Sequence, residues 1–328
     1  MTDLGAAIAD LTADFSGVVS VSRGGAVDFE RAYGLADRAH GIANTVGTQF
    51  GIASATKGFT ALVVASLIDE GRLATSTPAR SILGADLPLI DDRVTVEQLL
   101  MHTSGIGDYV DEDVVGDDDY VLTVPVHTLS ETEGYVAALD GFPQKFTPGE
   151  RFSYSNAGYV VLALLAERAA GPPLRDLVAD RVWRPAGMPD TAFLRMDDLP
   201  GRAAIGYLPD GRTNVLHLPV RGSGDGGAFS TVADLRSFWV ALFAGRILDP
   251  ARVAEVVRPR VDVAAEGLRY GLGFWLAADG PEVRLVGGDA GVSFSSSHDP
   301  TTGRTCTVVT NFSSGASAIL RRLQLLLR

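Results

Sequence analysis

The segment IASATKGFTALVVASLI, residues 52–68, decides the fold. Lys57 is its one charged residue, and the other side chains are apolar or small. A helix that is apolar on every side is buried on every side, so the segment predicts a helix inside the core that ends at Gly71. Ser54 and Lys57 are spaced so that the hydroxyl and the amine share one helix face. The sequence therefore predicts contact between a serine and a lysine in a dry environment.

This pair predicts an activated nucleophile. Burial lowers the pKa of a lysine, and a neutral amine can take the proton of a neighbouring serine hydroxyl. The helix N-terminus also favours negative charge on the Ser54 oxygen. The spacing alone leaves an alternative open, in which Ser54 caps the helix and Lys57 extends to solvent.

A second candidate motif is FSYSN, residues 152–156, which precedes a predicted helix. Tyr154 and Asn156 can both face one cleft. A lysine ammonium favours the anionic form of a nearby phenol, so Tyr154 can share the general-base role and then protonate the leaving group. The Asn156 amide can hold Lys57 or a substrate amide. The alternative is that Asn156 caps the helix and Tyr154 packs against it.

The rest of the chain has strand-rich ends and a helical middle. Strands are predicted at 16–22, 26–34, 268–277, 282–287, 291–298 and 304–311. Helices are predicted at 3–14, 95–102, 130–139, 156–170, 173–182, 231–244, 250–258 and 315–327. This order predicts an α/β (α+β) fold, in which helices flank an antiparallel sheet formed by both termini. We assign 1–71 and 220–328 to an α/β sandwich domain and 72–219 to an inserted, mostly α-helical domain, with the active-site cleft between them.

Composition excludes several classes of protein. The 328 residues carry a formal net charge of −12, whose field repels nucleic acid and anionic membranes. Cys306 is the only cysteine, which excludes an intrachain disulfide and a thiolate metal cluster. The histidines are scattered without H-E-x-x-H spacing, so no metal site is expected. With no basic leader and no uncharged apolar run of about 18 residues, we expect a cytoplasmic protein without membrane partners.

Three further features receive structural interpretations. The segment DYVDEDVVGDDD, residues 108–119, is dense in like charges, which favours a solvated loop. The glycine-dense RGSGDGG, residues 221–227, lacks the G-x-x-x-x-G-K-[ST] pattern of a phosphate loop. His102 is interpreted as a buried histidine that organises a turn. An aromatic residue within 268–275 is a candidate for the cleft wall.

Longer segments add to the two short motifs. They are LLMHTSGIGDY (99–109), FTPGERFSYSNAGYVVLALLAE (146–167), GGAFSTVADLRSF (226–238) and GGDAGVSFSSSHDPTTGRTCTVVTN (287–311). With these segments in this order, the chain resembles the β-lactamase-like serine hydrolases, a superfamily of class C β-lactamases, D-alanyl-D-alanine carboxypeptidases, D-aminopeptidases and β-lactamase-like esterases. The resemblance runs nearly end to end and implies the β-lactamase/transpeptidase-like fold.

The resemblance also implies a role for each motif residue. Ser54 is acylated by the substrate, Lys57 and Tyr154 act as a coupled general base and acid, and Asn156 positions Lys57 and the substrate. Tyr109, at the end of the segment 99–109, is expected to contact the substrate.

The third motif of the family lies on a sheet-edge strand and usually reads Lys-Thr-Gly or His-x-Gly. The residues aligned with it here are Asp289-Ala290-Gly291. The resemblance then implies an oxyanion hole formed by the backbone N–H groups of Ser54 and Val292. Gly291 would permit close approach of the backbone to the substrate.

Asp289 reverses the charge of the cation that relatives carry at the start of this motif. At a contact of about 4 Å and a dielectric of about 20, such a reversal changes the interaction with a carboxylate by several kcal/mol. We therefore hypothesise a substrate that is neutral or bears an amine at this place. An ionised Asp289 would also raise the pKa of Lys57 and give Tyr154 more of the proton transfer. The alternative is that Asp289 has only a structural role and pairs with Arg221, Arg284 or Arg304.

The prediction is a serine hydrolase that forms an acyl-enzyme on Ser54 and hydrolyses a small-molecule ester or amide, of the esterase or D-amino-acid amidase type. This chemistry requires no cofactor. The alternatives are an acyltransferase with the same acyl-enzyme, a β-lactamase or D-alanyl-D-alanine carboxypeptidase, and an inactive binding protein. The sequence leaves the acyl group, the leaving group and the oligomeric state open.

Overall fold

Both ends of the chain build one antiparallel sheet. The computed structural model describes residues 3–116 and 120–327. The strands are β1 Gly17–Arg23, β2 Ala26–Tyr33, β3 Leu35–Asp37, β4 Ile42–Ala43, β5 Phe50–Gly51, β6 Phe229–Ser230, β7 Val261–Val263, β8 Leu268–Tyr270, β9 Trp275–Ala277, β10 Val283–Asp289, β11 Val292–Asp299 and β12 Arg304–Thr310. Within the described residues, eight of them form a sheet in the order β2-β1-β12-β11-β10-β9-β8-β7. The predicted antiparallel sheet from both termini is confirmed.

Helices cover the sheet and form the middle of the chain. They are α1 Leu4–Ala7, α2 Thr56–Asp69, α3 Arg80–Leu83, α4 Val96–Leu100, α5 Val136–Leu139, α6 Asn156–Ala170, α7 Leu174–Val178, α8 Arg184–Ala186, α9 Val232–Phe243, α10 Pro250–Val256 and α11 Ala316–Leu326. In the described part of the chain, none of the helices is long and apolar enough to cross a bilayer.

Two predicted elements are divided in the structure. The helix expected at 3–14 is the single turn α1 followed by a 3-10 turn, Ala9–Leu11. The strand expected at 268–277 is the hairpin β8–β9. Gly273 lies in its connection with a φ of 85°, a left-handed conformation that glycine adopts without steric cost. A single glycine such as Gly273 can divide a strand in two while the apolar residues on either side keep the pattern of one continuous strand.

Helix α2 lies at the centre of the largest hydrophobic cluster. Most of its residues are buried, as its uniformly apolar sequence predicts. The cluster also contains Leu164 of α6, Trp239 of α9 and Phe294 of β11. The core is therefore continuous across the boundaries at 72 and 219, and the division into two domains stays a prediction.

Two glycines set the distance between α2 and the sheet. A Cβ atom at Gly58 would lie 2.5 Å from Leu285 Cδ2. A Cβ atom at Gly287 would lie 2.2 Å from the Ile52 carbonyl oxygen and 3.0 Å from the Ser54 nitrogen. Strand β10 therefore lies directly against the residues that begin α2, and Ser54 is next to the C-terminal part of β10, which β9 leaves unpaired.

We expect Gly287→Ala to destabilise the protein by about 1–3 kcal/mol, because its methyl group has no space beside the Ile52 carbonyl. Gly201→Ala is the matched control, since nothing lies within 4 Å of a Cβ atom there. Denaturant unfolding of both variants measures the difference. Equal stability of the two would contradict this packing.

Candidate active site

Ser54 lies in a 3-10 turn, Ala53–Ala55, that leads directly into α2. The first residue of α2 and a distant backbone group hold this turn. The Thr56 hydroxyl donates to the Ala53 carbonyl at 2.8 Å and accepts from the Ala228 backbone N–H at 3.1 Å. Ala53 has a φ of 45°, which is uncommon for a residue with a side chain. The serine is thus presented by a backbone that its surroundings fix in one conformation.

The Lys57 amine contacts Ser54 and two carbonyl oxygens. Its Nζ lies 2.8 Å from Ser54 Oγ, 2.7 Å from Asn156 Oδ1 and 2.8 Å from the Asp225 carbonyl oxygen. Lys57 is 1% exposed, so the alternative in which it extends to solvent is wrong. Burial lowers the pKa of Lys57, although the charge of Asp225 acts in the opposite direction.

Tyr154 lies over the same pair. Its hydroxyl shares a hydrogen bond with Ser54, and the centre of its ring is 4.9 Å from Lys57 Nζ. Trp275 stacks on the ring at 6.1 Å, which places an aromatic residue of 268–275 beside the site. Burial raises the pKa of Tyr154 well above its usual value, and the charge of Glu112 adds to this. Burial thus opposes the phenolate form of Tyr154 that the sequence reasoning expected Lys57 to favour.

Asn156 joins Lys57 to the segment that follows Tyr109. While its Oδ1 accepts from Lys57, its Nδ2 donates to the Val110 carbonyl at 2.9 Å and to Glu112 Oε1 at 3.0 Å. The N-cap of α6 is Ser155, whose hydroxyl accepts from the Gly158 N–H. The alternative in which Asn156 caps the helix is therefore wrong.

His102 supports the segment that carries Tyr154. Its Nδ1 accepts from the Ser155 N–H at 3.0 Å, and its ring lies 4.3 Å from the Tyr154 ring. Its Nε2 lies 3.1 Å from the Tyr270 hydroxyl. Burial lowers the pKa of His102 well below its usual value, which keeps the ring neutral. These contacts are those of the turn-organising histidine that the sequence predicts.

The first residues of the acidic segment fold against the site, so its interpretation as a solvated loop is wrong for residues 108–111. Residues 112–114 and 116 are exposed, as that interpretation expects. The Asp108 carboxylate accepts from the Ala157 N–H at 3.1 and 3.2 Å, at the start of α6. Burial raises the pKa of Asp108 to about 7. Asp111 pairs with Lys145 at 2.7 Å. The repulsion between these acids is offset because the N-terminus of α6 donates to Asp108 and Lys145 pairs with Asp111. The acids at 117–119 lie outside the described residues.

Asp225 is a site residue that the sequence reasoning missed. Its carbonyl accepts from Lys57, and its Oδ2 accepts from the Tyr109 hydroxyl at 2.5 Å. Burial raises the pKa of the Asp225 carboxyl group. The available signal was a lone acid among the glycines of 221–227, in a segment that we considered only as a phosphate loop.

The third motif does not have the expected placement. Strand β10 ends at Asp289, and Ala290 and Gly291 form the turn to β11. A Cβ atom at Gly291 would lie 2.6 Å from the Tyr207 nitrogen, so the close approach at this glycine is to another loop of the protein. The expectation that Gly291 lets the protein backbone approach the substrate closely is therefore corrected.

The register of the β10–β11 hairpin determines in which direction its backbone N–H groups point. Asp289 and Val292 close a two-residue turn, and such closing pairs are hydrogen-bonded to each other. The Val292 N–H therefore points at Asp289 and away from Ser54, in contrast to the expected oxyanion donor. Hydrogen bonding alternates along a strand, so the Gly288 N–H points to the opposite edge. Glu282 has the same parity as Gly288 along the chain, and its carbonyl accepts from the Ala277 N–H of β9 on that edge, which agrees with this alternation.

The Asp289 carboxylate faces the cleft. Its Oδ1 accepts from the Tyr120 hydroxyl and from the Ala290 N–H, both at 2.8 Å. The arginines considered as its partners contact other groups: Arg221 pairs with Glu131, Arg284 with Glu282, and Arg304 donates to the Leu327 carbonyl.

An open pocket of about 890 Å³ extends outward from Ser54. Much of its wall is aromatic or apolar, with Tyr109, Tyr120, Tyr135, Leu194, Met196 and Phe229. Glu112, Asp225 and Asp289 also line it, and the lining residues in the described ranges include no Lys, Arg or His. Across residues 3–116 and 120–327, no group of His, Cys, Asp or Glu is arranged to hold a metal ion.

Known proteins resemble this chain over much of its length. A penicillin-binding protein of Bacillus halodurans has a solved structure that superposes with a TM-score of 0.91 at 34% identity, over 98% of this chain and 99% of that one. Esterase EstB of Burkholderia gladioli is 31% identical over 293 residues, which are 78% of this chain and 73% of the esterase. A D-aminopeptidase of Brucella canis is 31% identical over 67% of this chain and 41% of its own length.

Several relatives are longer proteins. The chain spans about three fifths of two curated penicillin-binding relatives, with 62% and 61% of their lengths matched. A family model described as Beta-lactamase matches residues 5–327. The chain belongs to the beta-lactamase family, whose fold, predicted from the sequence, is confirmed.

Proposed function

We propose that the protein is a serine hydrolase that forms an acyl-enzyme on Ser54 and hydrolyses an ester or an amide. The observation that carries this proposal is the distance of 2.8 Å between Lys57 Nζ and Ser54 Oγ in a buried site. The esterase and D-aminopeptidase relatives support the reaction class. The complete set of Ser54, Lys57 and Tyr154 argues against an inactive binding protein.

The contacts of Lys57 favour a neutral amine as the general base. A neutral amine has two N–H bonds and one lone pair. The two carbonyl oxygens, from Asn156 and Asp225, can accept the N–H bonds. The lone pair is then directed at the Ser54 hydroxyl, whose proton it accepts. The lowered pKa of Lys57 supports this form.

Tyr154 is proposed to relay protons while it remains a neutral phenol. Its raised pKa disfavours the phenolate, and its hydroxyl bonds Ser54. When Ser54 Oγ bonds to the substrate carbonyl carbon, its proton passes to Lys57. The bond to the leaving group then breaks, the leaving group takes the proton of the Tyr154 hydroxyl, and the Lys57 ammonium returns a proton to Tyr154. A water molecule then bonds to the acyl carbon and gives up a proton to the base. The bond to Ser54 Oγ breaks, Ser54 takes up a proton, and the acid is released.

The oxyanion hole is proposed to consist of the backbone N–H groups of Ser54 and Gly288. Gly288 and Ser54 line the same pocket, and the alternation of β10 directs the Gly288 N–H away from β11, to the edge that β9 leaves unpaired. Gly288 thus replaces Val292 in the role that the resemblance implied. Two fixed donors stabilise the charge that develops on the carbonyl oxygen, by a few kcal/mol each.

We propose a substrate without a carboxylate near Asp289. Three carboxylate side chains line the pocket, and a fourth on the substrate would be repelled. The aromatic wall favours an uncharged or cationic group of moderate size. This argues against penicillins and D-alanyl-D-alanine termini as substrates.

Intact mass measurement with a fluorophosphonate is expected to detect one covalent adduct on the wild-type protein and none on Ser54→Ala. Ser153→Ala is the matched control and should label like the wild type, since Ser153 lies in the neighbouring motif without contacting Lys57. Labelling that survives Ser54→Ala would remove Ser54 from the mechanism.

For a neutral ester, kcat/KM should rise with pH as Lys57 loses its proton, with a midpoint below the usual 10.5 of lysine. Tyr154→Phe should reduce kcat/KM by about 10²–10⁴-fold and leave this midpoint in place, because the base is Lys57. Glu112→Gln should move the midpoint to lower pH, since it removes a charge that raises the pKa of Lys57. Loss of the rising limb in Tyr154→Phe would instead identify the phenolate as the base.

Asp289→Asn should raise kcat/KM for a carboxylate-bearing β-lactam about 10-fold relative to an uncharged ester, because it removes one repulsive charge and keeps the side-chain shape. Steady-state kinetics on both substrates give this ratio. Asp113→Asn removes an acid of the same segment as Glu112 that does not line the pocket, and it should leave the ratio unchanged. An unchanged ratio in Asp289→Asn would contradict the role of this charge.

A further inference from the structure

We propose that Asp225 binds an ammonium group on the acyl part of the substrate, next to the scissile carbonyl, so that the enzyme selects amino-acyl esters or amides over their uncharged counterparts. The inference rests on the proposed acyl-enzyme at Ser54. It assigns a specificity-determining role to one carboxylate and not to the acidic surroundings as a whole.

The position of Asp225 limits where such an amine can lie. Its carbonyl oxygen and Ser54 Oγ are both 2.8 Å from Lys57 Nζ. Of the carboxylates that raise the pKa of Lys57, Asp225 has the largest effect, ahead of Glu112. Asp225 and Ser54 also line the same pocket, which places the carboxylate beside the catalytic centre. An amine bound there belongs to a carbon near the reacting carbonyl, as in an α- or β-amino acyl group.

The Asp225 carboxylate is open to the pocket although it lies deep in the fold. Asp225 is half-buried and belongs to the pocket wall. The Tyr109 hydroxyl donates to its Oδ2 at 2.5 Å and fixes its orientation. Among the described residues, the basic side chain that acts on Asp225 is Lys57, and it acts through longer-range electrostatics. A carboxylate that is partly removed from water and has no cation in contact is costly, and a bound ammonium would offset that cost.

The same contact would assist the chemistry. The negative charge of Asp225 raises the pKa of Lys57 and opposes the neutral amine. A substrate ammonium at Asp225 compensates this charge, which lowers the pKa of Lys57 when the substrate is in place. The ammonium keeps its proton throughout: Ser54 Oγ bonds to the acyl carbon, the bond to the leaving group breaks, and the leaving group takes the proton that came from Ser54. Binding of the amine and activation of the serine are thus coupled.

The test compares alanyl p-nitroanilide, as each enantiomer, with isobutyryl p-nitroanilide, in which a methyl group replaces the ammonium. The wild type should give a higher kcat/KM for one alanyl enantiomer than for the isobutyryl compound. In Asp225→Asn, which keeps an acceptor for Tyr109, the alanyl to isobutyryl ratio should fall about 10- to 100-fold. The ratio is the readout, so a general loss of rate does not affect it.

Tyr109→Phe is the control that separates binding from positioning. It removes the hydroxyl that orients the carboxylate but keeps the charge, so the ratio should fall clearly less than in Asp225→Asn. An equal fall of the ratio in Tyr109→Phe and Asp225→Asn would mean that Asp225 acts only through Tyr109, and would overturn the proposal.

The wild type provides an independent check. If it hydrolyses the isobutyryl compound as well as both alanyl enantiomers, the inference fails while the serine hydrolase remains. Absence of turnover with every substrate, together with absence of the fluorophosphonate adduct, would contradict the proposed function itself.

Discussion

The burial of the Lys57 amine is the constraint on which the site depends. A buried amine without hydrogen-bond partners costs several kcal/mol, so the fold must bring hydrogen-bonding groups to it. They come from three separate parts of the chain: the turn before α2, the first residue of α6 and the glycine-dense segment at 221–227. The requirement that makes a lysine tolerable in the core also places it against Ser54. Stability and reactivity therefore have a common cause here.

The second constraint is the short distance between α2 and strand β10. Gly287 leaves space for the Ile52 carbonyl and the Ser54 nitrogen, and any side chain there would push the strand away. The close contact brings the serine to an open strand edge, where the Gly288 N–H points outward by the alternation of the hairpin. Because backbone groups supply both proposed donors, the charge at Asp289 can differ from that of relatives without removing them.

The electrostatics of the pocket reflect two opposed effects. Carboxylates around the site raise the pKa of Lys57, whereas burial lowers this pKa and has the larger effect. The same burial raises the pKa of Tyr154, so both groups tend towards their neutral forms. A site with a neutral amine, a neutral phenol and several carboxylates is complementary to a substrate that brings no negative charge and can bring a positive one.

The sequence by itself determined the features that depend on local spacing. Helix α2, the contact between Ser54 and Lys57, and helix α6 follow from apolar periodicity and from the geometry of one helical turn. Only the tertiary structure decided that Asp225 reaches Lys57 and that the N–H of Gly288, rather than that of Val292, points to the unpaired edge of β10. These depend on contacts between distant segments and on strand register, where a shift of one residue reverses the direction of every N–H. The pKa of Tyr154 was likewise decided by burial, which no short motif encodes.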